Sequence, residues 1–311
     1  MKKVFIIIAV LYGVVFPQEF KKAGTSGFVF LELPVSAKSA GLGEASITLN
    51  DHGASGLFIN PAATGFNKSS HSLSISYSPW IADINHYTTA YSYRSEMGVF
   101  SIGAIVMDYG SMKRTQKVGG QKLFEVIGTF NADALAFSFG YSKQLTDKFS
   151  FGVALKYVRE KIDIYTADNI VFDAGVLYYT GLGSLRLAAT IQNFGVDSKY
   201  LNDSFRMPAM FRIGLATEVL GDYESEYRVT AIAEAYHPSD NDERVNVGTE
   251  IAWKNMLILR GGYKFFYDEE SFNFGVGINP GFDYPLQLDF AYSDYGRLGE
   301  VLRLSLQLGI L

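Results

Sequence analysis

The stretch VLRLSLQLGIL, residues 301–311, sets Leu302, Leu304, Leu306, Leu308 and Ile310 against Arg303, Ser305, Gln307 and Gly309. In extended backbone successive side chains point to opposite faces, so the five large residues share one face of a strand. A soluble sandwich buries such a face in protein. A membrane barrel turns it outward to lipid and keeps its polar face toward an aqueous interior. One strand does not separate these cases; the number and length of such strands do.

The same alternation recurs along most of the chain, with turn signals between runs. It is read near 70–78, 85–94, 98–109, 132–144, 149–163, 168–180 and 184–194. It returns near 209–220, 225–237, 244–254, 257–267, 271–279, 284–294 and 300–310. Leu73, Ile75 and Tyr77 oppose Ser72, Ser74 and Ser76; Leu135, Phe137 and Phe139 oppose Ala136, Ser138 and Gly140; Leu185 and Leu187 oppose Arg186 and Ala188. Many runs reach the 9–11 residues that a tilted strand needs to cross a bilayer. Their number is even, as in single-chain bacterial outer-membrane barrels. The expected fold is an all-β transmembrane antiparallel barrel of about fourteen strands. A charged stretch between the third and fourth runs, SMKRTQKVGGQKLFEV, reads as a long loop or a hairpin extension. Tyr77, Trp80, Tyr93, Tyr109, Tyr157, Trp253, Tyr263 and Tyr292 lie near predicted strand ends, where an aromatic girdle would sit.

Composition agrees with much apolar surface. Charged residues are 19% of the 311, below the roughly 25% of ordinary soluble proteins, while Tyr, Phe and Gly number 20, 24 and 31. A net charge of −5 with no dense basic run excludes a general nucleic-acid binder. With no Cys, disulfides, cysteine zinc sites, thiol nucleophiles and a lipoprotein anchor are excluded. Lys2 and Lys3 followed by the apolar Val4–Phe16 read as a cleavable signal peptide over residues 1–18.

Residues 19–69 break the alternation. They are rich in Gly, Ala and Ser, and their place before the first strand of a barrel over 70–311 suits a hatch folded into the lumen. Within them, FLELPVSAKSAGLGEASITLNDHGASGLFINPAATG resembles the N-terminal block of the PorV/PorQ family and, more distantly, the FadL-like group. There a run of the type sAR-x-x-G-x-G-x-A is followed by an acidic turn and an Asn-Pro-Ala motif. The matching positions are Ala37, Lys38, Gly41, Gly43, Ala45, Asp51, Asn60, Pro61 and Ala62, with Lys38 where Arg is more usual. The resemblance implies a hatch-plugged fourteen-stranded barrel in the outer membrane, embedded in its lipid. PorV-type members are implied to act in type IX secretion, binding the C-terminal sorting domains of secreted proteins and meeting other components of the machinery. FadL-like relatives instead pass fatty acids or other hydrophobic small molecules.

Charges on predicted lumen faces complete the reading: Arg186, Arg212, Glu218, Glu250, Arg260, Lys264, Asp289 and Arg303. On the lipid face Arg or Lys would cost about 2–4 kcal/mol each near the midplane. Inside, they are expected to pair with one another or with Lys38, Glu44 and Asp51 of the hatch. No catalytic, cofactor or metal motif is present, and His52, His71, His86 and His237 lack zinc spacing. The acidic groups Asp240, Asp242, Glu243 and Asp268, Glu269, Glu270 read as solvated hairpin tips rather than calcium loops, and the basic Lys113, Arg114, Lys117 and Lys122 as a solvated loop. The function expected is that of a non-enzymatic barrel of the PorV/PorQ type; the alternative is a FadL-like transporter.

Overall fold

The computed structural model describes residues 24–119, 123–282 and 284–310; the expected signal peptide lies outside them. Fourteen antiparallel strands close into one barrel. They are β1 (His71–Pro79), β2 (Asn85–Ser95), β3 (Gly98–Lys117), β4 (Phe124–Thr146), β5 (Phe149–Ile162), β6 (Tyr165–Tyr179) and β7 (Arg186–Phe194), then β10 (Met210–Leu220), β11 (Tyr227–Pro238), β12 (Arg244–Trp253), β13 (Leu257–Phe265), β14 (Phe272–Ile278), β15 (Leu286–Asp294) and β16 (Glu300–Ile310). Two-residue strands β8 (Ser198–Lys199) and β9 (Ser204–Phe205) form a separate ribbon between β7 and β10. The seam joins β1 to β16, with Ser72 opposite Gly309 and Tyr77 opposite Leu304. Closure leaves no sheet edge within the wall, as hydrocarbon demands.

At the rim where β1 begins and β16 ends no connection exceeds seven residues, and those at 96–97 and 147–148 are two-residue turns. The opposite rim carries the connection 195–209 and the longest strands, β3 and β4. Outer-membrane barrels keep short turns on the periplasmic side, which places the second rim outside the cell. The charged stretch of the third connection is therefore strand: β3 and β4 run on past the wall as a hairpin.

Phase follows the alternation. Leu304, Phe137 and Ile213 are 55%, 51% and 52% exposed, while their neighbours Arg303, Ser138 and Arg212 are buried. Apolar side chains uncovered on every strand, around a polar interior, are a lipid-facing wall. Of the girdle aromatics, Tyr77, Tyr93, Tyr157 and Trp253 point outward. Trp80 and Tyr109 do not. Tyr109 is in phase with the buried Ile105 and Met107, packs on the interior cluster and donates to Glu160. Trp80, past the end of β1, packs inward against Tyr295 at 5.0 Å.

The interior is filled by residues 28–66. Phe28, Phe30, Val35, Ile47, Leu57 and Phe58 pack against Ile105, Met107, Val158, Val171 and Leu177 of the wall. Small wall residues make room: Ala134, Ala136 and Ala154 line the same cluster. Each large side chain buried this way contributes roughly 1.5–3 kcal/mol.

Leu304 lies midway along β16, so Leu304→Arg should lower stability by about 2–4 kcal/mol in a bilayer. The check is denaturant unfolding followed by the mobility of the unboiled band on a gel; an unchanged midpoint would place Leu304 away from lipid.

Candidate functional site

The segment inside the barrel is held by short helices whose ends are specified by sequence. Helix α1 (Ala37–Gly41) begins at Ser36, whose hydroxyl accepts from Ser39 N at 3.2 Å. Helices α2 (Gly56–Ile59) and α3 (Pro61–Thr64) meet at Asn60. Asn60 caps α3, its side-chain oxygen accepting from Ala62 N at 3.0 Å, and Pro61 occupies the first helical position, where no N–H is needed. The Asn60 amide also donates to Ile47 O at 2.9 Å within the hatch and to Val176 O at 3.3 Å on the wall. The Asn-Pro-Ala motif is thus a helix start that ties three segments together.

The other motif positions line the same interface. Ala37 N donates to Ser305 Oγ at 2.7 Å. Gly41 lies so close to Gly275 of β14 that a Cβ on Gly41 would sit 2.8 Å from the Gly275 Cα. Gly43 has φ +61°, a left-handed conformation that favours glycine, and its carbonyl accepts from Asn246 at 2.6 Å. Ala45 packs with Leu42, Leu49, Ala216 and Ile232. Ala62 O accepts from Ser150 Oγ at 2.8 Å. Lys38 is fully buried and forms an ion pair with Asp51, whose carbonyl it also reaches.

All eight charges read from strand phase lie on the lumen side. Arg186 pairs with Glu218 at 2.8 Å and donates to Thr48 O of the hatch at 3.0 Å. Arg212 pairs with Glu234 at 2.7 Å and donates to Glu44 O at 2.7 Å, and Glu234 accepts from Ile47 N at 2.6 Å. Glu250 joins Arg228 at 2.7 Å and Arg260 at 2.9 Å, and Arg260 continues to Asp289 at 2.6 Å. Lys264 forms ion pairs with Glu44 of the hatch and with Glu270. Arg303 is buried with its guanidinium 5.9 Å from the Trp80 ring and makes no ion pair with a described residue. The resulting arrangement is a chain of ion pairs around the wall that clasps the hatch backbone.

Four buried charges in this lining were not singled out: Arg228, Glu234, Lys156 and Asp173, the last two paired at 2.6 Å. Their signal was the one used for the others, a charged residue at an inward phase. The acidic tips also differ from expectation. Asp240 is buried, Glu270 holds Lys264, and Glu269 pairs with Arg297. A tip only a few residues long leaves its carboxylates within reach of the adjoining strands.

Electrostatics within the hatch follow burial. Burial pushes the Glu32 carboxyl up to about 8, with Asp240 adding to the effect. Burial also pushes His52 down to about 4, and the nearby Lys38 ammonium acts in the same sense. His52 Nε2 lies 2.8 Å from Ser46 O, so the neutral ring donates there. For Asp51 burial acts upward, but Lys38 and His52 outweigh it and hold the carboxyl well below the usual carboxylate range.

Several cavities lie against the hatch. One of about 30 Å³ sits among Glu32, Val35, Phe58, Ile105, Lys156 and Arg212. Another, about 330 Å³, opens near the periplasmic rim, lined by Asn50, Asp51, Gln287 and Gln307 together with Phe66, Tyr223, Leu286 and Leu308; one of about 490 Å³ lies at the same rim among Asn50, Phe66, Arg94, Gln144, Asp147 and Tyr179. Among the described residues no group of three or more His, Asp or Glu is placed to hold a metal ion.

Comparison with known proteins adds the following. A family profile described as type IX secretion system protein PorV matches residues 16–237. No curated protein sequence matches the chain. Among solved structures, the toluene transporter TodX of Pseudomonas putida is similar with a TM-score of 0.61 at 13% identity, over 93% of this chain and 98% of that one. The toluene transporter TbuX of Ralstonia pickettii gives 0.58 at 12% identity, over 93% and 100%. A FadL homologue of Pseudomonas aeruginosa gives 0.57 at 12% identity, over 90% and 99%. At such identities the likeness is one of fold.

Arg212→Ala would leave Glu234 buried without its cation. The expected cost is about 3–5 kcal/mol of stability, read from chemical unfolding; a change under 1 kcal/mol would mean the pair does not hold the hatch. His52 has its folded value below the 6.5 of an unfolded chain. Its contribution is therefore intact above pH 6.5 and lost as pH falls toward 4, by up to about 3 kcal/mol at 1.36 kcal/mol per unit. Glu32, whose folded value lies above its unfolded one, acts in the opposite sense over this range, so the check is a difference: from pH 7 to pH 4.5 the thermal midpoint of the native protein should drop relative to that of His52→Gln. Equal changes in both would remove His52 from the account.

Proposed function

The chain belongs to the PorV family of type IX secretion system proteins, and on that premise we propose that it is a non-enzymatic carrier or scaffold in the outer membrane. Its partners are secreted proteins with C-terminal sorting domains, together with other components of the secretion machinery. The observation that carries this reading is the closed lumen. Where a transporter of hydrophobic molecules needs a free apolar pocket, this barrel has its own Phe28, Phe30, Leu31, Leu57 and Phe58 packed on the wall. The cavity left beside them is about 30 Å³, against the roughly 300–1,000 Å³ of ligand sites. The cavity of about 330 Å³ near the periplasmic rim lies outside this core, with Asn50, Asp51, Gln287 and Gln307 set among Phe66, Tyr223, Leu286 and Leu308.

The hatch is also bonded to the wall on many sides. Glu44, Ile47, Thr48, Phe58, Ile59 and Asn60 each make a polar bond to a strand residue. Displacing the segment would break these bonds from Arg212, Glu234 and Arg186 and expose the apolar core of the hatch to water. A plug held this way favours work done at the rims over passage through the middle. The FadL-like alternative has the barrel architecture in its favour but requires the hatch core to vacate its place.

Affinity purification of the tagged protein from outer membranes should recover secreted proteins bearing C-terminal sorting domains, and titration of the purified protein with a long-chain fatty acid should show no saturable binding. Saturable fatty-acid binding without such cargo would reverse the assignment.

A further inference from the structure

The ladder between β2 and β3 ends at Asn85 opposite Asp108, and that between β4 and β5 ends at Ala132 opposite Ile162. Beyond those points β3 and β4 continue, paired only with each other, from Ser111 opposite Asn131 to Lys117 opposite Phe124. At roughly 3.3 Å per residue this ribbon stands roughly 25 Å above the wall. Its base is braced: Arg114 pairs with Asp163 at 2.6 Å and lies 5.7 Å over the Phe130 ring, and Asp163 N donates to Asn131 O. Both long edges above the brace are open.

The two edges differ. Natural proteins protect an open edge with lysine, and the β3 strand carries Lys113 and Lys117. The β4 strand between Phe124 and Phe130 carries no Lys or Pro and, beside Glu125 and Gly128, holds Phe, Val, Ile and Thr, residues that favour sheet. Ile127, the extra residue of a bulge, is 54% exposed, and Phe124 and Val126 are also uncovered. Over residues 109–131 Lys113, Lys117 and Lys122 stand beside Arg114, which is paired with Asp163, against Glu125, on a chain whose net charge is −5.

We propose that the outer edge of β4, Phe124 to Phe130, takes an added strand from a secreted protein, one carrying Asp or Glu among apolar residues. An open edge offers N–H and C=O groups in a ladder, which another backbone satisfies and a lipid does not. The cationic ribbon selects an acidic strand, and the same charge disfavours pairing of two copies of the ribbon. The inference deepens the carrier reading and rests on it.

The test places a photo-crosslinking benzoylphenylalanine at Ile127, at Lys113 and at the lipid-facing Leu259, in the full-length protein in cells. Expected is a protein adduct from position 127, at least tenfold stronger than from 113 or 259, whose partner peptide by mass spectrometry is an acidic segment of an exported protein. Val126→Lys, which protects the edge, should weaken the adduct from position 127 at least tenfold while the unboiled gel mobility stays native. No adduct at 127, equal adducts at 113, a crosslink to a second copy or to lipopolysaccharide alone, or an adduct unaffected by Val126→Lys would each overturn the proposal. If cargo still co-purifies in those cases, the carrier reading stands and the edge assignment alone fails; if cargo does not co-purify, the carrier reading fails with it.

Discussion

Everything in this molecule follows from the backbone's demand for hydrogen bonds where no water can supply them. A sheet in hydrocarbon must close, and the seam between β1 and β16 is where it does so. Closure fixes which side of each strand meets lipid, because side chains alternate and a one-residue slip would turn every charge outward. It also creates an interior wider than wall side chains alone can fill, and the segment from residue 28 to 66 occupies it. That occupation sets the second requirement. The hatch brings its own polar backbone into a dry space, and the wall answers with Arg186, Arg212, Glu234, Gln192 and Asn246.

These buried charges are better viewed as constraints on geometry than as a source of net stability. Taking an ion pair out of water costs about what the pair regains. What the arrangement supplies is uniqueness: Arg186, Arg212, Glu234 and Lys264 each reach a hatch group in only one placement of the hatch. The close approach of Gly41 to Gly275, and the left-handed turn at Gly43, act to the same end by letting backbone meet backbone.

Much of the fold was legible because period two is hard to mimic. Fourteen runs of alternation correspond to fourteen wall strands, and the lumen-side placement of Arg186 or Glu250 follows from phase. What was not legible depended on contacts far apart in sequence. Trp80 and Tyr109 were judged by nearness to a strand end, whereas phase, the β3 register and the partner Glu160 decide the direction of Tyr109. The ribbon of β3 and β4 was ambiguous because lysines and a bulge interrupt its alternation. Asn60 reads as a turn; only the folded chain shows it capping α3 while bonding Ile47 and Val176. Partner choice among the charges, such as Lys264 with Glu44, separated by 220 positions, is invisible to any local pattern.

The path of the hatch has a consequence for biogenesis. Ser26 bridges to Arg206 at the extracellular rim, and the chain then descends through the lumen to Ser69 at the opposite rim, where it becomes β1. Joined to a seam strand at the periplasmic rim, the segment has two ways in: laterally before the seam zips, or lengthwise from the periplasmic mouth afterwards. The lateral way avoids threading past the inward side chains, and on that route insertion into the membrane and the filling of the barrel are a single event in time.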